Sequence, residues 1–418
     1  MINKEKRRMR MKQKVVWCIS KYALPPNLGA QGRLFFLSDE FEKRGFKSYV
    51  ITSSTNHLTK ELPRQVEKVH VHKVGLSDGV FLRGIFIDSS VSLQRVLSWI
   101  VFEWRLLNLI LFPKNRIERP DVIIVSSLSL VTVLNGFLAK KKYKCKFFFE
   151  VRDIWPLSAI SVTGFSSKNP LIMLMRMVEK FGYRKADVIT SPIPNLKEHI
   201  SESISKPFRF EYIPQGFDPA FMSKQEKLLP EFKHKYIPEG KFIVGYIGNI
   251  VLAYNLDMML KCARKLQVTQ PDIHFLVLGD GTYKANLMEK AKDLNNITFI
   301  PRIPKSEVQD FLSYCDVVTN FFLPENAFRF GISPQKLVDY MYASKPVLMS
   351  FSGYKSIVED SGCGDTVPAD DVAAFNGALI KIKDLPKAEL VAMGQRGKDF
   401  LLTRLAWGTL ANQYIELF

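Results

Sequence analysis

The sequence predicts an α/β protein built from two doubly wound domains. Two observations carry this expectation. Short runs of buried-type residues alternate with longer amphipathic stretches, and the series breaks once, at a charged, proline-bounded stretch from Asp218 to Gly240, before starting again. Such alternation is the pattern of parallel sheets covered by crossover helices, and its repetition predicts two of them. With 418 residues, 47% of them hydrophobic, the chain is long enough to fill two cores.

In the first series the expected strands are Lys14 to Ser20, Lys47 to Ser53, Val69 to Val74, Val122 to Ser126, Lys146 to Glu150, Val188 to Ser191 and Phe210 to Ile213. Helical patterns cover Gly32 to Arg44 and Leu171 to Lys185. The second series is Phe242 to Gly248, Phe275 to Leu278, Ile297 to Ile300, Val317 to Asn320 and Val347 to Ser350, and Ala388 to Phe418 is helical in pattern. We place one domain over residues 1–225, a second over 226–400, and a last helix over 401–418 that is able to cross back to the first domain. No short-period repeat is present.

Five cysteines, Cys18, Cys145, Cys262, Cys315 and Cys363, form no C-x-x-C pair and total an odd number, which fits a reducing cytoplasm rather than a disulfide framework or a zinc site. The basic start (Lys4, Lys6, Arg7, Arg8, Arg10, Lys12, Lys14) precedes an apolar run, Val15 to Ser20, that is too short for a secretory core and reads as a strand. The most apolar long window, Val96 to Phe112, holds Glu103 and Arg105 and is too short to span a bilayer. A net charge of +18 asks for an anionic partner: nucleic acid, a membrane surface or phosphorylated substrates. Zinc-finger, RNP and basic-zipper patterns are all missing, so nucleic acid is set aside. A charge excess that serves only solubility stays open.

Ligands of open α/β sheets bind beyond the carboxyl ends of the strands, so the loops that follow strands are the places to read. The first strand leads into Gly29-Ala30-Gln31-Gly32-Arg33, small enough for backbone N–H groups to approach an anion, or simply a tight turn. Glu150-Val151-Arg152-Asp153-Ile154-Trp155-Pro156 puts a cation, an acid and an aromatic at one strand end, either as a site or as an ion-paired turn. Gly248-Asn249 and Gly279-Asp280-Gly281 place glycine just past strands of the second series, where a diphosphate or base could come close. The most informative stretch is Ser333-Pro334-Gln335-Lys336-Leu337-Val338-Asp339. Serine as cap and proline in the first turn predict a helix start there, with Lys336 beside an anion-attracting end. Asp339, three residues on, shares nearly the same face and could accept hydrogen bonds from sugar hydroxyls, or could pair with Lys336 within the helix. His57, after the second strand, is a further candidate on the first domain, or a surface histidine.

Together and in this order these loops resemble family four of the retaining glycosyltransferases, of GT-B fold, and within it the WbuB-like subgroup of fucosyl or N-acetylfucosaminyl transferases of O-antigen and capsule assembly. The resemblance extends over nearly the whole chain. It includes Ala186-Asp187-Val188-Ile189-Thr190-Ser191 and the hinge approach Pro214-Gln215-Gly216-Phe217-Asp218. It implies two Rossmann-like domains facing across a cleft and sugar transfer, with retention, from a UDP- or GDP-linked donor through an oxocarbenium-like transition state. The implied acceptor is a polyprenyl-diphosphate saccharide at the inner membrane surface. Two departures stand out. Of the family's paired glutamates eight positions apart, the second falls at Asp339 and the first at Gly331, and the family's diphosphate-binding Arg and Lys fall at Asn249 and Tyr254.

The implied donor side is therefore Gly248, Asn249, Gly279, Asp280, Gly281, Arg302, Ser333, Pro334, Lys336, Leu337 and Asp339, with Lys336, Arg302 and Arg329 as the cations available to the diphosphate. The implied acceptor side is Gly29, Gln31, Gly32 and His57. Asp153 is expected to orient or deprotonate the acceptor hydroxyl, held in place by Arg152. No cofactor is expected beyond the nucleotide sugar, and no metal, since no Asp-x-Asp pair stands in a suitable loop. The aromatic and basic segment Phe81 to Phe112 is expected to lie in the membrane interface, or else to pack as core helices. A nucleotide-sugar epimerase, which should show Gly-x-Gly-x-x-Gly and Tyr-x-x-x-Lys, and a non-catalytic scaffold are the alternatives.

Overall fold

A computed structural model of the chain describes residues 13–28, 32–56, 62, 68–85, 93–113, 117–127, 129–158, 160, 164–324 and 328–418. The chain divides into two compact units: the described residues up to Pro214 with Trp407–Phe418, and Gln215–Ala406. The sequence reading put the junction at residue 225 and the last segment's start at 401. The contacts put both elsewhere because Phe217 bridges to Ala406, and Phe217, Met222 and Leu228 all enter the core of the second unit.

In the first unit, β1 (Val15–Ile19), β2 (Lys47–Ser53), β3 (Val69–Val74), β4 (Ser77–Leu82), β5 (Val122–Ser126), β6 (Lys146–Glu150), β7 (Val188–Ser191) and β8 (Phe210–Tyr212) make one sheet. Its order is β3-β4-β2-β1-β5-β6-β7-β8, parallel throughout except for the edge pair β3 and β4. In the second unit, β9 (Phe242–Ile247), β10 (Ile273–Leu278), β11 (Ile297–Ile300), β12 (Val317–Phe321), β13 (Val347–Ser350) and β14 (Gly364–Val367) are ordered β11-β10-β9-β12-β13-β14. Two Rossmann-like sheets are thus present. In each the strand order reverses once, between β1 and β5 and between β9 and β12, and those two points are where such sheets open a crevice for ligands.

The second sheet is buried on both faces, as a parallel sheet must be. Along β9, Ile243 and Ile247 enter one core while Val244 and Tyr246 enter the other, and β10 splits Leu276 and Leu278 from Phe275 and Val277 in the same way. In the first unit, Val16, Cys18, Ile124 and Phe148 pack with the helices Arg33–Lys43 and Trp407–Glu416. The helix Thr132–Tyr143 lies against the opposite face, where a Cβ at Gly136 would come within 2.7 Å of Phe147 and Val125.

Two strands escaped the sequence reading. β4 joins β3 through a turn at Gly75 and carries Phe81 and Leu82, both fully buried, so the segment Phe81 to Phe112 is not one interfacial element. Its first residues finish a strand, and the helix begins at Leu93. β14 is a four-residue edge strand, half-exposed, with too little apolar pattern to register. The stretch Ala388 to Phe418 is two helices, Lys387–Arg404 and Trp407–Glu416. Glu103 in the apolar window turns inward, where it accepts hydrogen bonds from Ser129 Oγ (2.9 Å), Thr132 Oγ1 (2.5 Å) and Asn135 Nδ2 (2.7 Å). Burial pushes its pKa up against those donors. Among the described residues no helix is long and apolar enough to cross a membrane.

Candidate functional site

At the reversal point of the second sheet stands Lys336, near the start of the helix Gln335–Tyr342. Its side chain is buried, with the ammonium donating to Tyr246 Oη (2.8 Å) and Asn320 Oδ1 (3.3 Å). It lies 4.1 Å and 3.9 Å over the rings of Tyr246 and Tyr254. Tyr246 belongs to β9 and Asn320 to β12, so the two strands flanking the reversal supply its partners. No carboxylate pairs with Lys336 among the described residues, and burial alone pushes its pKa well down. A buried cation without a counter-ion is costly to keep, and anion binding repays that cost. Tyr254, where the resemblance expects a lysine, instead offers its ring to the lysine of another element.

The loops around this amine are closely stacked. A Cβ at Gly279, whose φ is +151°, would sit 1.9 Å from the Gly248 carbonyl oxygen, and one at Gly281 would sit 2.2 Å from that of Ile250. Glycine is therefore required by backbone against backbone, whatever ligand approaches. Gly248 itself borders the lysine, since a Cβ there would be 3.3 Å from Nζ.

The other expected donor residues divide. Asn249 is exposed, and its carbonyl accepts from Tyr246 Oη (2.8 Å). Asp280 is exposed and closes its own turn on the N–H of Gly281. Arg302 is exposed beyond β11. Ser333 does not cap the helix. Its Oγ takes the N–H of Gln215 at 3.4 Å, Pro334 occupies the cap position in extended backbone, and the helix starts at Gln335. Leu337 is fully buried in the core, where it packs rather than meeting a ligand. Asp339 makes no pair with Lys336: it is buried beside Lys305, whose ammonium it receives, and so each charge of this helix answers to a different element. The residue that sequence reasoning missed is Asn320, the last residue of an expected strand, with nothing in its neighbours to mark it.

In the first unit the loop after β6 carries Arg152 and Asp153. They form no ion pair, so Arg152 does not hold Asp153 in the expected way. The guanidinium loses solvation on burial, and its charge is answered first by Glu150 and only then by Asp153. The Arg152 N–H donates to Ser127 Oγ at the end of β5 (2.9 Å). Asp153 is exposed, while lost solvation pushes its pKa up and Arg152 draws it back in part. Exposure and desolvation pull apart here, and exposure carries more weight because water in contact screens the carboxylate. Gly32 is buried at the start of the helix Arg33–Lys43, without a side-chain cap. Gly29, Gln31 and His57 lie outside the described residues. Arg33, the end of the glycine loop, is wholly structural: Nε donates to Glu150 Oε1 (2.8 Å), and the two terminal nitrogens donate to the carbonyls of Pro214 (2.7 Å) and Ile213 (3.0 Å). Among the described residues no cluster of three or more His, Cys, Asp or Glu is placed to hold a metal.

Residues 230–400, which contain β9, β12 and Lys336, match the family described as Glycosyl transferases group 1. Over this stretch the chain is similar to that family. No curated protein matches the chain by sequence. Solved structures share the fold over nearly the full length. Sucrose-phosphate synthase from Thermosynechococcus elongatus is 15% identical with a TM-score of 0.73, covering 97% of this chain and 98% of its own. The Anabaena protein HepE in complex with UDP and glucose is 13% identical with a TM-score of 0.66 (97% and 99%). A glycosyltransferase from Rickettsia africae is 14% identical with a TM-score of 0.64 (97% and 98%). At these identities the likeness shows the fold, two Rossmann-like sheets, and nothing finer.

Proposed function

We propose that the protein is a retaining glycosyltransferase that moves a sugar from a UDP- or GDP-linked donor to a polyprenyl-diphosphate saccharide at the cytoplasmic face of a bacterial membrane, building a surface polysaccharide such as O-antigen or capsule. The observation that carries this reading is Lys336, a buried lysine amine with no carboxylate partner among the described residues, at the reversal point of the sheet in the stretch that matches the group 1 glycosyl transferases. As the glycosidic bond of the donor breaks, negative charge grows on the leaving phosphate, and a preorganised cation in a dry site stabilises it without reorganising. Asp153, exposed at the end of β6, is the group we assign to the acceptor hydroxyl, as orienter or base. The HepE complex with UDP lends support to a nucleotide donor on this fold. The test is product formation with UDP- and GDP-sugars against two acceptors, a polyprenyl-diphosphate saccharide and soluble sugar phosphates, with the anomeric configuration read by NMR. Transfer to the lipid-linked acceptor with retention is expected. An inverted product, or transfer to sugar phosphates alone, overturns the reading.

Membrane docking is the second part of the proposal, and the first unit supports it on a broader surface than one segment. On the helix Leu93–Leu111, Ile100 and Trp104 are 59% and 64% exposed, and on the helix Pro170–Lys185, Leu174 and Met177 are 56% and 68% exposed. The helix Thr132–Tyr143 touches both and adds exposed Leu134 and Leu138, with Lys140, Lys141 and Lys142 in its last turn. Exposed apolar residues beside lysines suit the interface of an anionic bilayer, where each basic residue near the surface adds about 1 kcal/mol. Co-sedimentation with anionic vesicles is expected at low salt and is expected to fall several-fold in high salt, with Trp104→Ser and Met177→Ser together, or with neutral lipid. Equal recovery on neutral lipid, or no effect of the two substitutions, counts against docking.

A further inference from the structure

We propose that Asn320 is a positioning residue of the donor site: a neutral partner that aims the Lys336 amine without neutralising it and adds its own unpaired N–H groups toward the same anion. The inference rests on reading the second unit as the nucleotide-diphosphate side.

Asn320 is fully buried in β12, one strand from Tyr246 in β9, at the reversal point of the sheet. Its Oδ1 accepts from Lys336 Nζ (3.3 Å), while its Nδ2 is buried without a hydrogen-bond partner among the described residues. The amide oxygen faces the amine, which donates to it, and this orientation suits the charged form that a bound anion favours. Of the three N–H groups Lys336 has when charged, one goes to Tyr246 and one to Asn320. Tyr246 is itself committed, since its hydroxyl donates to the Asn249 carbonyl. One ammonium hydrogen and the Asn320 amide hydrogens thus remain, on two buried side chains in direct contact. The rings of Tyr246 and Tyr254 cover two sides of the amine, and glycine at 248 leaves a further side without a side chain. Buried donors in this number want a multiply charged acceptor, and a phosphate or diphosphate oxyanion provides it.

Aspartate has the shape of asparagine and would have satisfied Lys336 within the fold. It would also have occupied the charge that an anion needs. Asparagine orients the amine and leaves it to be neutralised by the ligand, which is why the side chain at this position matters more than its burial suggests.

The test uses the full chain with Asn320→Asp and Asn320→Ser, titrated with inorganic pyrophosphate and with UDP and GDP by calorimetry in two buffers of different ionisation enthalpy. For the wild type, binding is expected with proton uptake, because the anion restores the charge on Lys336. Asn320→Asp is expected to bind pyrophosphate at least about tenfold more weakly, to lose the proton uptake, and to keep or raise its thermal midpoint, since the new carboxylate pairs the buried amine. Asn320→Ser, neutral but without the amide N–H groups, is expected to keep proton uptake and to bind a few-fold more weakly, short of the loss in Asn320→Asp. Wild-type affinity in Asn320→Asp overturns the proposal, as does a parallel loss of affinity and thermal midpoint in both variants, which would mark a packing role. If the wild type binds pyrophosphate with this pattern but neither nucleotide, the positioning role stands and the donor reading falls. If it binds none of the three, both fall.

Discussion

Replacing Arg33 with methionine is expected to destabilise the chain by about 3–5 kcal/mol, the cost of breaking a buried ion pair by removing one partner. Both side chains of the Arg33–Glu150 pair are completely buried. Without the guanidinium, Glu150 keeps the hydroxyl of Tyr414 (2.7 Å) and the more distant charge of Arg152, and the carbonyls of Ile213 and Pro214 lose their donor. Against a total stability of about 5–15 kcal/mol this is a large fraction. Urea denaturation should show a clearly lowered midpoint, and Arg33→Met with Glu150→Leu should recover more than half of the loss, because an apolar pair of similar volume removes the orphaned charge. A single-variant loss below about 1 kcal/mol would mean that the pair is not buried as described.

The same site has a pH signature. Burial pushes the Glu150 carboxyl up, but Arg33, then Arg152 and the Tyr414 hydroxyl, hold it below its ordinary value of 4.5. Its contribution is therefore complete above that value and is lost as pH falls through the lower folded pKa. In Arg33→Met the largest lowering influence is gone, only Arg152 and Tyr414 remain, and the folded pKa rises, so the variant is penalised most at neutral pH. The gap between the two proteins should narrow on acidification.

Lys336→Met is expected to lower turnover by about 10²–10³, the usual cost of removing one preorganised group that stabilises transition-state charge. Its thermal midpoint should stay level or rise, because the substitution removes a buried, uncompensated cation. Opposite signs for function and stability identify a residue held for its ligand. Burial depresses the amine's pKa, so between that value and 10.5 the unfolded chain holds a proton that the folded chain lacks, and stability rises with pH across this window. Nucleotide affinity runs the other way, weakening as pH rises through the depressed pKa. Both slopes should be absent from Lys336→Met, and unchanged kinetics in that variant would remove the assignment.

Local pattern alone located most of the scaffold. The strands Lys47–Ser53, Val122–Ser126 and Lys146–Glu150 end where the apolar runs end, because a strand buried on both faces has to be apolar at consecutive positions and that requirement is written in adjacent residues. Two doubly wound sheets were legible for the same reason, whereas Lys336 was singled out by a serine cap that the structure does not form. β4 and β14 were not legible: β14 is a four-residue edge strand, and β4 is a short strand whose place between β3 and β2 is set by the neighbours it pairs with.

Which partner each charged group takes was decided by tertiary structure. Asp339 is three residues from Lys336 yet pairs with Lys305, Arg33 looks like part of a glycine loop yet closes on Glu150 more than a hundred residues away, and Tyr414 reaches the same carboxylate from the last helix. Asn320 shows the limit most clearly. Its residue type and its neighbours announce a strand, and only the pairing of β12 with β9, together with a lysine arriving from a later helix, makes it a partner to the buried amine. Periodicity reports which face of an element is buried, but a polar group's role depends on what it can reach, and that reach is set by the order in which the strands assemble.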